Sequence, residues 1–412
     1  MGGETTLDVL GMLRSPSHLE DPYPLYGMLR ESGRIQVPTG DVVLARYADV
    51  AAVLKDAQFG KRPVPRSPFR SGRVLFRMFL LLDPPDHTRL RRVVAPAFTP
   101  SAVAALRPAV TAIAERLLPS ESRPIDLIGE FAYPLPLEVI GELLGIPPVD
   151  RPQIAAWART LTASLDNPVP VRLRELPRAA RDIARGRSHP VAAVRAATRI
   201  VDYTRQHIAA ATNAPTTELV ERLVQAERDG ALNADEAAAT WIMMAIAGHE
   251  TTANLIGNSV LALVDHPEVF ATVRDDTTLI DRLVDECLRY DSPVPYTARI
   301  ANETTTLNGL EIDRGQSMVV FMAAANRDPD PFPNPDCLDL TRPATPPHLG
   351  FAYGIHFCVG SALAKVEAEI ALTTLLPRLA LKQDRGTITR RPSVTVRGLA
   401  TFPIQLASPA TT

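Results

Sequence analysis

The segment 233–266 constrains the fold more than any other part of the chain. Asn233 followed by Glu236 has the spacing of a helix capping box, and a proline comes directly after the segment. About 32 residues between these signals would form a helix close to 48 Å long. Its apolar interior contains one ionisable pair, His249 and Glu250. That pair would be costly at the centre of a membrane span, so the pattern predicts a long buried helix with a polar site at mid-length.

The composition allows a sizeable core and excludes several classes of protein. The chain has 412 residues, of which 46% are hydrophobic and 22% charged, which argues against wholesale disorder. Its 44 basic and 46 acidic residues give a net charge of −2, which predicts no nucleic-acid partner and no membrane surface. The three cysteines are too few and too scattered for a disulfide framework or a zinc site. No basic stretch precedes an apolar run near the N-terminus, so we expect a cytoplasmic protein.

Helical periodicity dominates the rest of the chain. The 38 prolines are spread over the whole length and separate stretches with apolar residues three and four apart. The clearest strand signal lies around residues 304–320, where Asn308-Gly309 predicts a hairpin turn. We find no internal repeat and no linker. The sequence predicts one domain, 1–412, that is mainly α with a small β component.

The centre of the long helix carries Ala247-Gly248 followed by His249, Glu250 and Thr251. Glycine inside a helix costs about 1 kcal/mol relative to alanine, which calls for a packing or functional reason. The Thr251 hydroxyl can bond the carbonyl four residues back, at Ala247, and bend the helix. One interpretation is a groove for a small ligand beside an acid and an alcohol that deliver protons. The other is a helix crossing where Glu250 meets an arginine, and this segment alone leaves both open.

A second candidate site lies in the loop 351–360, where Cys358 comes just before an amphipathic helix. A helix N-terminus favours a thiolate, which is a good nucleophile or a good axial ligand to iron. His356 is two residues away, but a nucleophile would also need an orienting third group, and none is evident. Cys287 and Cys337 are predicted to be buried, inert thiols.

Glu286 and Arg289 lie one helical turn apart, opposite the apolar stripe of their segment. Periodicity alone therefore predicts an exposed ion pair that stabilises the helix by a few tenths of a kcal/mol.

These segments, in this order and spacing, resemble the cytochrome P-450 family of heme-thiolate monooxygenases, in particular its soluble bacterial members. The resemblance rests on five motifs: Asp83-Pro-Pro-Asp-His87-Thr-Arg-Leu-Arg91, the Ala-Gly-His-Glu-Thr-Thr segment, Glu286-x-x-Arg289, Ala325-Asn-Arg-Asp-Pro-Asp330, and the cysteine loop. Each motif alone is of limited specificity, whereas the ordered set is highly specific.

The resemblance implies heme b as cofactor and O2 as co-substrate, with Cys358 as the axial ligand to the iron. Glu250 and Thr251 would be the acid and the alcohol that deliver protons to oxygen. The Glu286–Arg289 pair would be a buried network with Arg342 as its third member. The other residues implied to bind heme are His87, Arg91, Arg299, His356, Ala247, Gly248, Phe351 and Gly360.

The resemblance also implies an apolar substrate pocket, which suits a bulky hydrophobic molecule. We expect a natural-product intermediate of polyketide or peptide type. The residues implied to form this pocket are Phe69, Phe76, Met243, Met244, Ile246, Val294, Tyr296, Leu399 and Ala400.

A monomer of this length has no room for a fused reductase, so the resemblance implies electrons from NAD(P)H through a ferredoxin reductase and a ferredoxin. Arg91, Arg92 and Lys365 are candidates for a basic docking face. The segment 171–200 contains eight arginines against two acidic residues. It is interpreted either as a solvated lid or as a surface that attracts an anionic substrate or an acidic carrier protein.

Two positions depart from the family pattern: Ala352 stands where glycine is usual, and Lys365 where arginine is commoner. Alanine fits unless the loop requires a positive φ. Three alternatives to hydroxylation or epoxidation stay open. The same heme chemistry could close a ring or couple two atoms, the chain could be an inert heme-bearing helper, or Cys358 and His356 could serve a cysteine hydrolase. The last leaves the other motifs unexplained.

Overall fold

The computed structural model describes residues 9–37, 40–61, 67–166, 190–212, 214, 216–380 and 388–407. The chain divides into two compact units, and each is described by itself below. Unit 1 comprises Met1–Lys61, Arg107–Leu135 and Thr251–Thr412, and unit 2 comprises Arg62–Leu106 and Pro136–Glu250.

Helices make up most of the described residues, which confirms the predicted mainly α class. Their bounds are α1 Val9–Leu13, α2 Pro16–Glu20, α3 Tyr23–Glu31, α4 Tyr47–Lys55, α5 Arg70–Leu75, α6 Asp86–Val94, α7 Pro100–Leu117, α8 Pro134–Leu143, α9 Arg151–Asp166, α10 Pro190–Ala211, α11 Glu218–Arg228, α12 Ala234–Ala247, α13 Glu250–Asp265, α14 Pro267–Asp275, α15 Ile280–Tyr290, α16 Met322–Ala325 and α17 Ser361–Leu375. A π-helix spans Leu127–Ala132, and short 3-10 turns span Phe79–Leu81, Ala95–Phe98, Thr277–Leu279, Gly354–His356 and Leu376–Arg378.

The strands of the described residues all belong to unit 1. They are β1 Arg34–Gln36, β2 Val42–Leu44, β3 Phe59–Gly60, β4 Pro124–Asp126, β5 Thr297–Ala301, β6 Thr305–Leu307, β7 Leu310–Ile312, β8 Ser317–Val320, β9 Leu379–Ala380, β10 Thr389–Arg390, β11 Leu399–Thr401 and β12 Pro403–Leu406. The largest sheet has the order β1-β2-β8-β5-β3, and only β2 and β8 pair in parallel. The other sheets are β4-β12-β9, β10-β11 and β6-β7.

The predicted hairpin is present between β6 and β7. Asn308 and Gly309 have φ angles of 45° and 83°, as the two central residues of a type I′ turn require. Leu307 and Ile312 pack in a hydrophobic core with residues of β2, β8 and α4, and this core also contains Leu349. This core also contacts the partly buried Ala352 and Tyr353, so the sheet supports the loop that leads to Cys358.

The long predicted helix is two helices, α12 and α13, separated by Gly248 and His249. The capping box is confirmed: the Asn233 side chain accepts from the Glu236 N–H, and the Glu236 carboxylate accepts from the Asn233 N–H, both at 3.0 Å. The N–H of Gly248 still bonds the carbonyl of Met244 at 2.9 Å. The predicted distortion therefore takes the form of a two-residue break, at Gly248 and His249, across which this helical hydrogen bond is retained.

Within the described part of the chain, no single helix has the length and apolar character to cross a membrane; the consecutive segments Asp86–Phe98 and Pro100–Leu117 meet the criteria only as a bent pair.

Candidate active site

The loop before α17 presents Cys358 at the start of that helix. The Cys358 N–H donates to the carbonyl of Phe351 at 3.0 Å, and the Phe357 N–H donates to the carbonyl of Gly354 at 3.0 Å. Gly360 is the N-cap of α17, and Cys358 lies two residues before it and is exposed. The unpaired N–H groups and the dipole of the helix favour a negative charge here, so the backbone supports a thiolate.

Gly354 is required by a close approach of the cysteine loop to α4. Its φ is +69°, and a Cβ added there would lie 2.4 Å from the carbonyl oxygen of Leu54. Only glycine combines this conformation with this contact. The contact therefore fixes the 3-10 turn that carries His356, two residues before the thiol.

Ala352 has a φ of +58°, so the loop does require the left-handed conformation that the family's usual glycine supplies. The Ala352 N–H donates to the carbonyl of Leu349 at 2.9 Å, which closes the turn. A left-handed alanine costs roughly 1–2 kcal/mol.

Replacing Ala352 by glycine is expected to raise the free energy of unfolding. The substitution removes the free-energy cost of a left-handed alanine. Glycine also increases the conformational entropy of the unfolded chain, which stabilises the unfolded state by about 0.4–1 kcal/mol, so the expected net gain in unfolding free energy is roughly 0.5–1 kcal/mol. Ala104→Gly, at an exposed position inside α7, is the matched control and should lose about 1 kcal/mol. Urea unfolding of the two variants checks this, and a loss at both positions would contradict it.

Two cations of unit 1 converge on the same two acceptors. Lys61 Nζ donates to Thr297 Oγ1 at 3.0 Å and to the Ala298 carbonyl at 2.9 Å. Arg299 Nη1 donates to the same atoms at 3.3 and 3.0 Å, and Arg299 is 2% exposed. Two positive charges this close repel each other, so the arrangement favours an anion beside them. Sequence analysis missed Lys61; pairing of β3 with β5 places it next to Arg299.

Gly248, which follows the end of α12 in unit 2, is required by close packing. A Cβ on Gly248 would lie 2.7 Å from the Met244 carbonyl and 2.9 Å from Ile140 of α8. Close packing therefore requires glycine here. His249 Nδ1 lies 2.9 Å from the Ala245 carbonyl, and Glu250 is buried, 3% exposed.

His87 and Arg91 lie one turn apart on α6, also in unit 2. His87 is buried and its ring meets Phe79 edge-to-face at 5.9 Å between centroids. Burial and the neighbouring Arg91 charge lower the pKa of His87, so its imidazole is neutral at pH 7 and can donate one N–H.

Glu286, Arg289 and Arg342 come together in unit 1. Both Glu286 oxygens accept from Arg289, at 2.7 and 2.8 Å, and one also accepts from Arg342 at 3.0 Å. Glu286 and Arg289 are 6% and 2% exposed, so the exposed pair predicted from periodicity is wrong.

The guanidinium groups of this cluster also bind the irregular segment that follows α16. Arg289 donates to the carbonyls of Asn326, Pro335 and Cys337, at 2.9, 2.8 and 3.0 Å. Arg342 donates to two further carbonyls in the same segment, those of residues 333 and 334, and shares the Cys337 carbonyl with Arg289. The two guanidinium groups thus satisfy backbone carbonyls that have no secondary-structure partner, and Arg289 ties the segment to α15.

The two other thiols differ from each other. Burial raises the pKa of Cys287 to about 12, as expected of an inert thiol. Cys337 is exposed, so its predicted burial is wrong: its carbonyl accepts from both arginines while its side chain faces solvent. Lys365, a candidate for the docking face, binds Asp285 at 2.8 Å, and His348 lies 3.5 Å from the same carboxylate.

The residues predicted for the substrate pocket fall in both units. In unit 2, Met243 and Met244 are buried, whereas Phe69 is 53% exposed. In unit 1, Leu399 is fully buried and the Tyr296 hydroxyl lies 3.3 Å from Thr395 Oγ1. Of the remaining pocket residues, Phe76 and Ile246 lie in unit 2 and are half-buried. Val294 and Ala400 lie in unit 1, where Val294 is half-buried and Ala400 is exposed. Of the arginine-rich segment 171–200, residues 171–189 lie outside the described residues, while Arg195 and Arg199 are exposed on α10.

Glu367 is a buried carboxyl that sequence analysis missed. It lies on α17, is 0% exposed, and neither oxygen has a hydrogen-bond partner among the residues that the structure describes. Burial raises the pKa of Glu367 well above its ordinary value, because the apolar surroundings disfavour the charged form. Its position among Leu363, Val366 and Ile370 on the apolar face of α17 was the signal that could have identified it.

Glu367→Gln is expected to stabilise the protein increasingly as pH rises. Because the folded-state pKa lies above the unfolded value, the folded chain holds a proton that the unfolded chain loses, and stability falls as pH rises from about 4.5. Glutamine has no such dependence, so the difference in unfolding free energy should widen by up to about 1.4 kcal/mol per pH unit. Urea unfolding at pH 5 and pH 8 measures it. Glu369→Gln, which breaks an ion pair with Arg107, is the control and should show no widening; equal behaviour of both variants would contradict the assignment.

Comparison with known proteins agrees with this fold. A family model described as cytochrome P-450 matches residues 189–403. The chain belongs to the cytochrome P-450 family. It is 36% identical to the biotin biosynthesis cytochrome P-450 of Bacillus subtilis (strain 168), over 89% of this chain and 91% of that protein. It is also 36% identical to the cytochrome P-450 monooxygenase PikC of Streptomyces venezuelae, over 93% and 91%. The crystal structure of P450BioI in complex with acyl carrier protein ligated to hexadec-9Z-enoic acid has a TM-score of 0.83, with 33% identity over 95% of this chain and 99% of that one.

The residues fit the heme that the family carries. A thiolate-favouring cysteine at a helix N-terminus is a ligand that iron accepts, and buried cationic or N–H donors such as Arg299 and His356 suit the carboxylates of a porphyrin. No group of three or more His, Cys, Asp or Glu side chains in the described ranges forms a separate metal site. The protein is therefore a heme-dependent oxidoreductase of the monooxygenase class.

Proposed function

We propose that the enzyme inserts one oxygen atom of O2 into a C–H or C=C bond of a bulky, hydrophobic natural-product intermediate of polyketide or peptide type. The second oxygen atom becomes water, with two electrons and two protons supplied from outside. The exposed Cys358 at the N-terminus of α17 is the observation that carries this proposal. Heme held there by the Cys358 thiolate would supply oxygen activation, which a thiolate ligand to the iron favours.

The chain's own groups bind the cofactor and move protons. We assign Cys358 to the iron, and His87, Arg91, Arg299, His356 and the newly found Lys61 to the porphyrin carboxylates. Residues 247, 248, 351 and 360 are assigned to contacts with its ring. The assignment of the carboxylate-binding groups rests on charge-assisted hydrogen bonding.

Glu250 and Thr251 are the proton-delivery groups of this proposal. Glu250 is buried and follows directly on the interruption of the helix at Gly248 and His249. An interrupted helix exposes backbone groups that water can bind, and an acid beside an alcohol can pass protons along such a path.

The electrons come from NAD(P)H through a ferredoxin reductase and a ferredoxin. Arg92 remains the basic candidate for ferredoxin docking, since Arg91 is assigned to a porphyrin carboxylate. Lys365 is a weaker candidate, because its ion pair with Asp285 already compensates its charge. The monomeric state, the cytoplasmic location and the single-domain organisation remain predictions.

The substrate is proposed to arrive on an acidic carrier protein. The arginine-rich composition of segment 171–200 supports this, as does the complex of the neighbouring P450BioI with acyl carrier protein. Ring closure or coupling would use the same residues and remains the alternative outcome for a substrate placed with two reactive positions near the oxidant.

The visible spectrum of the dithionite-reduced protein with carbon monoxide tests the function. A red-shifted Soret band is expected for heme with an axial thiolate. Folded protein without heme would overturn the enzyme assignment, and a heme spectrum without the band would favour the helper alternative. Metabolites of the producing organism with and without the gene then identify the substrate as the compound that accumulates.

A further inference from the structure

Helices α5 and α10 of unit 2 lie side by side and form one surface. Thr198 Oγ1 on α10 donates to Ser71 Oγ on α5 at 3.3 Å, and Ser71 is buried beneath the contact. A helical period of 3.6 places Arg195, Arg199 and Asp202 within about 100° of Thr198 on the outer face of α10. The side chains that flank the Ser71–Thr198 contact therefore belong to a common face.

This face is rich in arginines that bind no carboxylate. Arg70, Arg195 and Arg199 are exposed, and none of them forms an ion pair within the described ranges. Arg73 is exposed and, among the described residues, donates only to the carbonyl of Pro68, at 3.1 Å. Asp202 is the acidic residue on the same face. We name Arg70, Arg73, Arg195 and Arg199 the arginine surface.

A cavity of about 570 Å³ adjoins the arginine surface at Arg70. Three arginines from three helices line it, Arg70, Arg205 and Arg228, together with apolar side chains that include Ile208 and Val224. Its two carboxylates are Glu227 and Asp235, and Asp235 is already held by Arg205. The cavity thus places arginine and apolar side chains together beside the arginine surface.

Apolar side chains are exposed in the same two elements. Phe69, which precedes α5, is 53% exposed, and Val191 in the first turn of α10 is 62% exposed. Arginine and aromatic side chains together are typical of the energetic centre of protein–protein interfaces. An isolated guanidinium presents a planar fork that matches a carboxylate and loses little hydration when it binds one.

We propose that the arginine surface is the docking face for an acidic protein that carries the substrate. The inference rests on the carrier-borne substrate of the proposed function and names where on this chain the carrier binds. Carboxylates of the carrier pair with Arg70, Arg195 and Arg199, and an acidic side chain enters the cavity beside Arg70. Charge complementarity of this kind increases the rate of association and makes binding sensitive to salt.

The test measures binding of an apo acyl carrier protein, a small acidic protein, to the heme-loaded enzyme by isothermal titration calorimetry. At about 20 mM NaCl, Arg195→Glu with Arg199→Glu is expected to weaken binding by about tenfold or more, and Arg70→Glu to weaken it further. Raising NaCl to about 200 mM should weaken wild-type binding and reduce the difference, because the Debye length falls below 10 Å.

Arg274→Glu with Arg314→Glu is the matched control, since both residues are exposed in unit 1 and the change in net charge is equal. This control should bind the carrier within about twofold of wild type. All variants should keep the CO spectrum of wild type, which shows that they fold and load heme.

Three results would overturn the inference. The first is no binding of the carrier to wild type, and the second is equal carrier binding by the arginine-surface and control variants. The third is that the arginine-surface variants bind a ferredoxin more weakly than wild type does, while their carrier binding is unchanged. The last would make this the electron-donor face. Failure of the docking test with an intact CO spectrum leaves the monooxygenase proposal standing. Carrier binding by a protein without the heme-thiolate band would do the reverse: it would support the docking face and contradict the monooxygenase proposal.

Discussion

Cys358→Ser is expected to abolish the red-shifted band of the reduced CO complex and to reduce substrate oxidation to background. A serine hydroxyl is not ionised where a thiol at a helix N-terminus is, so the axial ligand loses its negative charge and its soft donor atom. The fold should survive, because Cys358 is exposed and the Cys358–Phe351 contact uses only its backbone N–H. Absorption spectroscopy of the reduced, CO-treated protein measures the effect, and circular dichroism reports the fold.

Cys337→Ser is the matched control for this prediction. Cys337 is also exposed, and its contacts with Arg289 and Arg342 use its backbone carbonyl, so the substitution changes the same atom type without touching the loop. Its spectrum should equal that of wild type. A band that persists in Cys358→Ser, or disappears in Cys337→Ser, would refute the assignment of the axial ligand.

Glu286→Ala is expected to lower the free energy of unfolding by about 3–5 kcal/mol, because it leaves Arg289 as an uncompensated charge that is 2% exposed. The same substitution removes acceptors from Arg342 and from the Asp339 N–H, which donates to Glu286 at 3.0 Å. A domain is stable by only about 5–15 kcal/mol, so much of the variant should unfold at temperatures that wild type tolerates. Chemical denaturation of the heme-loaded protein measures the loss.

Glu218→Ala provides the comparison, since Glu218 and Arg222 form an exposed pair four residues apart on α11. Removing that pair should cost less than about 1 kcal/mol. If Glu286→Ala proves insoluble, Arg342→Met, at the partly exposed edge of the cluster, should fold with a smaller loss. Equal stability of the Glu286 and Glu218 variants would show that the buried cluster contributes no more than a surface pair.

Local rules were reliable wherever the partners of a residue are close in sequence. The capping box at Asn233, the turn at Asn308-Gly309 and the end of α17 before Pro377 all follow from interactions between residues a few positions apart. The same rules fail for Arg289. Hydrophobic periodicity describes one helix at a time. Most of the groups that accept hydrogen bonds from Arg289 are carbonyls that lie 37, 46 and 48 residues away in the sequence.

Prediction of the candidate site was limited in the same way, because the sequence shows residue types but not their spatial contacts. The cysteine at a helix start and the acid–alcohol pair were visible as residue types, and the resemblance assigned their roles. Lys61 was invisible because only strand pairing brings it to Arg299. Glu367 interrupts an apolar stripe, yet whether such a carboxyl is paired or orphaned depends on the side chains packed over it.

The sequence by itself determined the helical class, the hairpin, the position of the thiol at the start of α17 and the family to which the chain belongs. Only the tertiary structure decided that Ala352 is left-handed, that Glu286 and Arg289 are buried, that Cys337 faces solvent and that Arg70 lies beside the arginines of α10 and α11. The physical reason is the range of the interactions. Helix caps and turns are governed by neighbours within about four residues, whereas burial and charge pairing depend on segments that the chain brings together only when it folds.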